Sequence, residues 1–157
     1  MNKTCVLVLD NIRSVENTGS IFRTAEGLGV SKIYLIGTTP APLDRFGRKR
    51  ADFAKVSLGA ESLISWEARK SISEVIVELK DQGFKIISLE QTPESKKLEA
   101  NSYQPEALTL IVGNEVEGVS KTALDLSEEI VEIEMKGEKE SLNVSVATGI
   151  ALHTLLN

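Results

Sequence analysis

Leu108-Thr109-Leu110-Ile111-Val112-Gly113-Asn114-Glu115-Val116-Glu117-Gly118 is the stretch on which the fold turns. A short, nearly unbroken row of branched apolar residues suits a strand buried on both faces, and the polar, glycine-bounded segment after it must leave that strand sharply. Ser120 then stands as the N-cap of a short helix to about Leu126. Strand, polar loop and helix in that order form one unit of an α/β protein.

Related units lie on either side. Upstream, Cys5-Val6-Leu7-Val8-Leu9 ends in Asp10-Asn11, and a helix is predicted from Asn17-Thr18-Gly19 through about Leu28, with Gly29 as its C-cap. On that helix Ile21, Phe22, Ala25 and Leu28 share one side, and at about 100° per residue Arg23 falls nearly opposite. Lys32 to Ile36 is a second buried strand. A helix from Ser71 or Ser73 to Gly83 carries Val75, Ile76 and Leu79, and Phe84 to Leu89 follows as a strand. Downstream, Ile130 to Ile133 is a last short strand, and a final helix runs from about Leu142 to Leu156. The alternation predicts an α/β fold with a mostly parallel sheet flanked by helices, whose ligands bind at the carboxyl ends of the strands. Apolar residues nearly encircle the final helix, so a face remains for a subunit interface after the other packs on the sheet.

The 157 residues suit one domain, and at 41% apolar and 26% charged residues they have the composition of a globular protein with a proper core. No apolar run approaches the roughly 18–20 residues of a membrane span, and Met1-Asn2-Lys3-Thr4 leads directly into a strand, so a cytoplasmic location is expected. One cysteine, Cys5, excludes an intrachain disulfide, and Cys5 with the single histidine, His153, leaves too few soft ligands for a zinc site. Cys5 is read as core, Trp66 as core rather than a base-stacking residue, and His153 as a surface or interface residue. The net charge of −5 gives no global field for nucleic acid. Between Asp44 and Lys55, however, Arg45, Arg48, Lys49, Arg50 and Lys55 face only Asp44 and Asp52. That segment is the candidate phosphate-binding surface, with a solvated basic loop as the alternative.

Three segments place polar residues beside glycine or at sharp turns: Asn17-Thr18-Gly19-Ser20-Ile21-Phe22-Arg23, Gly113 to Gly118, and Ser141-Leu142-Asn143-Val144-Ser145-Val146-Ala147. Singly, each has a plain explanation as caps, turn glycines and a solvated arginine. Together, in this order and spacing, they resemble the motifs of the SpoU-type (TrmH-like) RNA 2′-O-ribose methyltransferases of the knotted SPOUT superfamily. Asn17, Gly19 and Arg23 match a first motif Asn-x-Gly-x-x-x-Arg. Gly113, Glu115 and Gly118 match a second, Gly-x-Glu-x-x-Gly after a strand. Ile133, Met135 and the segment from Ser141 match the third. The resemblance covers nearly the whole chain, with Glu134 where the family commonly has proline.

That resemblance implies a single catalytic domain over residues 1–157 with no separate RNA-binding extension, and a C-terminal deep trefoil knot that physical rules alone would argue against. It implies S-adenosyl-L-methionine as cofactor, held at Leu89, Gly113, Ile133, Met135, Ser141 and Leu142. It also implies a transfer or ribosomal RNA substrate, a homodimer, and neither metal nor membrane. The catalytic set carried over is Arg23, Asn17, Glu115 and Asn143. A guanidinium, with a pKa above about 12, is a poor base. Arg23 is therefore expected to clamp phosphate and the developing alkoxide. Asn17 would fix Arg23 or the ribose, Glu115 would anchor loops or Arg23, and Asn143 would orient the knotted loop or substrate. Arg45, Arg48, Lys49 and Arg50 are expected to hold RNA phosphates. The alternatives are a non-catalytic RNA-binding module that keeps the fold, and a nucleotide-binding domain using Gly113 to Gly118 as a phosphate nest; the second lacks a Walker lysine.

Overall fold

The first strand, β1 (Thr4–Asp10), sets the layering of the molecule: Cys5, Leu7 and Leu9 enter one hydrophobic cluster, Val6 and Val8 the other, and none of the five is more than 5% exposed. The described residues of the computed structural model are 3–101, 103 and 105–157; Met1 and Asn2 lie outside them. After β1 come α1 (Val15–Gly27), β2 (Lys32–Ile36), α2 (Ala51–Ser57), a 3-10 turn (Ala60–Ser62), β3 (Ser65–Arg69) and α3 (Ile72–Asp81). The second half contains β4 (Lys85–Leu89), β5 (Lys96–Lys97), β6 (Ala107–Gly113), α4 (Lys121–Leu126), β7 (Glu129–Glu132) and α5 (Val144–Leu156).

The seven strands form one sheet in the order β3-β2-β1-β6-β4-β7-β5, and every neighbouring pair is parallel. The fold is thus the expected parallel α/β sandwich of helices about a sheet. Because β6 inserts between β1 and β4, Leu9 lies beside both Leu35 and Val112, and the carboxyl ends of β1, β4 and β6 meet at one edge. Helices α1, α2 and α5 cover one face, where Phe22 and Phe53 meet edge to face at 5.1 Å. Helices α3 and α4 cover the other through Ile76, Leu79 and Ala123. Full burial of each such large apolar side chain contributes about 1.5–3 kcal/mol, so both faces share in holding the sheet.

Several boundaries differ from the sequence reading. Helix α1 begins before Asn17, because Ser14 is its N-cap and accepts from the Asn17 amide at 3.0 Å. The last helix begins at Val144, capped by Asn143. Strand β3 was not expected: Ser65-Trp66-Glu67-Ala68-Arg69 is an edge strand with one neighbour, so it lacks the continuous apolar run of a central strand. Trp66 is half-buried and packs on the core, as expected, and Cys5 is buried. On α5, Thr148, Ala151, Leu152 and Leu155 face inward, while Val146 and Ile150 remain 51% and 42% exposed beside the exposed His153. Among the described residues no helix is long and apolar enough to cross a membrane, and no cluster of three or more potential metal ligands occurs.

Candidate active site at the carboxyl edge of the sheet

The loop after β6 is a tight hairpin whose shape is dictated residue by residue. Asn114 and Gly118 exchange two backbone hydrogen bonds of 3.0 and 2.9 Å, and the Asn114 side-chain oxygen accepts from the amides of Val116 and Glu117 at 2.8 and 2.9 Å. Gly113 is required by close approach, since a Cβ there would lie 2.2 Å from the Gly118 carbonyl carbon. Gly118 is required by its φ of +74° and by the Glu90 carboxylate, 2.0 Å from where its Cβ would be.

Side chains from neighbouring strand ends tether this hairpin. Glu90, just past β4, accepts from the Val119 amide at 2.8 Å, and Asp10, buried at the end of β1, accepts from the Ser120 amide at 2.8 Å. Asn114 donates to the Asn11 carbonyl at 2.8 Å. The motif spacing singled out none of Asp10, Glu90 or Asn114 as a site residue, although each directly follows or closes an apolar strand run or flanks a turn glycine.

Glu115 carries the connection to α1. Its carboxylate accepts from the amides of Arg13 and Ser14 at 3.0 and 2.9 Å, and from the Asn17 side-chain amide at 3.1 Å. Desolvation alone would raise its pKa, but these donors together outweigh it and hold the carboxyl below its usual range. The Asn17 carbonyl oxygen in turn accepts from the Asn143 side chain at 3.1 Å, while Asn143 accepts from the Ser145 and Val146 amides at 2.9 and 3.4 Å. Asn143 is therefore both the cap of α5 and the link between the first and third motifs.

Beside this chain opens a cleft of about 520 Å³. Leu89, Gly113, Ile133, Met135, Ser141 and Leu142 all line it, as do Asn17, Glu115 and Asn143. Residues 133–143 lie outside helix and strand, so their backbone groups are not committed to a ladder. At the rim, Gln91 donates to the Glu140 carbonyl at 2.9 Å, and Glu134, at the position where the family commonly has proline, pairs with Lys97 of β5 at 2.6 Å.

Arg23 is not brought to this cleft. It lies on the exposed side of α1, about 9 Å further along the axis than Asn17, without hydrogen bond or ion pair among the described residues. The basic segment is also less uniform than its sequence. Arg48 pairs with Asp44 at 3.0 Å and Arg50 with Asp52 at 2.9 Å, whereas Arg45 and Lys49 are exposed and have no ion pair among the described residues.

Known proteins resemble the chain along almost its whole length. A profile of the SpoU rRNA Methylase family matches residues 4–153. The 23S rRNA (guanosine-2′-O-)-methyltransferase RlmB of Neisseria meningitidis serogroup B is 31% identical over 147 residues, covering 94% of this chain and 56% of that protein. The chain thus spans about half the length of that relative. The crystal structure of the Aquifex aeolicus TrmH/SpoU tRNA modifying enzyme matches with a TM-score of 0.83 at 27% identity, over 98% of this chain and 74% of that one. An AdoMet-bound rRNA methyltransferase from Sinorhizobium meliloti matches with a TM-score of 0.85 at 23% identity, over 99% and 56%, a likeness of fold.

Proposed function

The chain belongs to the SpoU rRNA Methylase family, and from that membership we propose that it methylates a ribose 2′-hydroxyl of transfer or ribosomal RNA, with S-adenosyl-L-methionine as donor. The observation that carries the reading is the hydrogen-bonded chain Glu115–Asn17–Asn143, which joins all three motifs at the mouth of one cleft. The names of the relatives, a 23S rRNA methyltransferase and a tRNA modifying enzyme, support both RNA classes.

The cleft suits the donor. Its volume of about 520 Å³ falls among small-molecule sites. Leu89, Ile133 and Met135 offer an apolar wall for adenine, while the irregular backbone at Ser141 and Leu142 and the amide edge of Gly113 offer polar partners. When bound, S-adenosyl-L-methionine supplies an electrophilic methyl group for the ribose oxygen. Glu115 and Asn143 hold Asn17 in place, so Asn17 presents a fixed amide at the cleft mouth where the ribose would lie. Arg23, with its charge permanent and its fork planar, would clamp the phosphate and the developing alkoxide, the hydroxyl proton passing to the neighbouring phosphate or to water instead of to the guanidinium.

Arg23 lies away from its own cleft, which favours delivery across a homodimer. The exposed stripe Val146, Ile150 and His153 on α5 supports such a contact, because α5 packs on α1, with Thr24 3.4 Å from where a Cβ of Gly149 would be. We also assign to residues 133–143, which lead β7 to α5, the closing pass of the deep trefoil knot, a reading supported by the insertion of β6 between β1 and β4. The catalytic domain is taken to span residues 1–157 and to work in the cytoplasm.

Incubation with isotopically labelled S-adenosyl-L-methionine and total cellular RNA tests the function. Label is expected in 2′-O-methyl nucleosides on mass-spectrometric mapping. Label confined to bases, or absent from RNA, defeats it.

A further inference from the structure

The segment 43–49 is a small, fixed hairpin. Leu43 and Lys49 form an antiparallel bridge, and the Asp44 amide donates to the Arg48 carbonyl at 2.8 Å. The Asp44 carboxylate accepts from the amides of Phe46 and Arg48 at 2.8 and 3.0 Å and from the Arg48 Nε at 3.0 Å. Those donors, the Arg48 amide first, hold the Asp44 carboxyl below its usual range, so the anchor stays ionised through the neutral region. Gly47, at φ +77°, closes the turn.

What this rigid tip displays is Phe46, 66% exposed, with the guanidinium carbons of Arg45 and Arg48 4.8 and 5.0 Å from its ring centroid. Three flat π-groups, two of them cationic, are thus held together in solvent on a protein whose net charge is −5. The segment leading into the hairpin is hydrogen-bonded to the loop that reaches the candidate active site. It follows the carboxyl end of β2, where Thr38 donates to the Asn11 side chain at 3.0 Å and Thr39 accepts from the Ile12 amide at 3.1 Å. Residues 11–14 then lead to the Glu115–Asn17 contact.

We propose that Phe46, with Arg45 and Arg48, is a stacking platform for one unpaired nucleobase of the RNA, the guanidinium groups meeting the adjoining phosphates. The proposal rests on the RNA reading above and adds to it a specific contact with single-stranded nucleotide. Nucleobases stack on aromatic and guanidinium planes irrespective of sequence, and a positive rim attracts the backbone. An acidic peptide would use the charges but gain little from the ring.

The test uses the full chain and a short oligouridylate with one central 2-aminopurine, whose fluorescence is quenched on stacking. The expected result is quenching by the wild type, and about tenfold weaker binding with loss of quenching in Phe46→Ala, its salt dependence unchanged. Phe46→Trp should keep both signals and Phe46→Leu should lose them. Arg45→Gln should lower the log–log salt slope by about 0.7, as for one single-strand phosphate contact. Binding without quenching, wild-type affinity in Phe46→Ala, or equal competition by oligoglutamate overturns the platform and leaves the methyltransferase reading standing. Failure of the wild type to bind this probe, together with failure to bind either transfer or ribosomal RNA, overturns both.

Discussion

Asn143 donates a hydrogen bond of 3.1 Å to Asn17 across 126 positions of sequence, and its other side-chain atom caps the helix that follows. One side chain thus serves both stability and site geometry, and the two can be separated. Asn143→Ala should cost about 1 kcal/mol in urea unfolding, the usual scale for a lost N-cap. Asn143→Ser should restore most of that stability, because serine caps well, yet remain impaired in methyl transfer because its hydroxyl does not reach Asn17. Full activity in the serine variant would remove Asn143 from the site.

Glu115 predicts a pH dependence. Its folded pKa lies below the ordinary value, so its ionised form stabilises the fold above the unfolded pKa, about 4.3, and that contribution disappears as pH falls through the folded pKa. Wild type should exceed Glu115→Gln in stability at neutral pH, and the gap should close on acidification. A gap constant from neutral to acid pH in denaturant titrations would contradict the assignment.

Gly118→Ala combines a positive φ with a Cβ placed against the Glu90 carboxylate. Strain of this kind costs of order 1–3 kcal/mol, and the cleft wall must shift. Calorimetry should show weaker S-adenosyl-L-methionine binding even at temperatures where the variant is folded.

Arg23→Ala should leave the fold and donor affinity intact while methyl transfer falls by about 10²-fold, the scale for losing one preorganised donor. Arg23→Lys should stay impaired with no recovery at alkaline pH under the clamp reading. If the residue works across a dimer, mixing Arg23→Ala with Asn17→Ala should restore activity that neither shows alone. Absence of complementation in verified mixed dimers places Arg23 on its own subunit's site.

Ile150→Glu puts a charge in the middle of the exposed stripe on α5. Sedimentation should show a dimer for the wild type and a monomer for the variant. A wild-type monomer would leave that stripe without its proposed partner.

The fold was legible wherever a strand is buried on both faces. Cys5 to Leu9 is interrupted by no polar residue and Leu108 to Val112 only by Thr109, so both declare themselves. Edge strand β3 and the two-residue β5 carried no such signal, since an edge needs only one apolar face. At the site, family spacing picked out residues that line the cleft, but periodicity could not supply Asp10 and Glu90. Their work is to accept from the Ser120 and Val119 amides, contacts made across 110 and 29 positions. The ion pairs of Arg48 and Arg50 were likewise hidden, because a charge count does not say which carboxylate each guanidinium meets.

Cys5 lies in the middle of the core, fully buried, and burial pushes its thiol up to about 12. As the chain's one cysteine, it leaves the folded protein silent to thiol reagents at neutral pH. Val116, at the outer turn of the Gly113–Gly118 hairpin and 86% exposed, can therefore be replaced by cysteine and labelled alone. A fluorophore or spin label there would sit at the mouth of the cleft without any background substitution, reporting opening and closing in the natural sequence changed at one position.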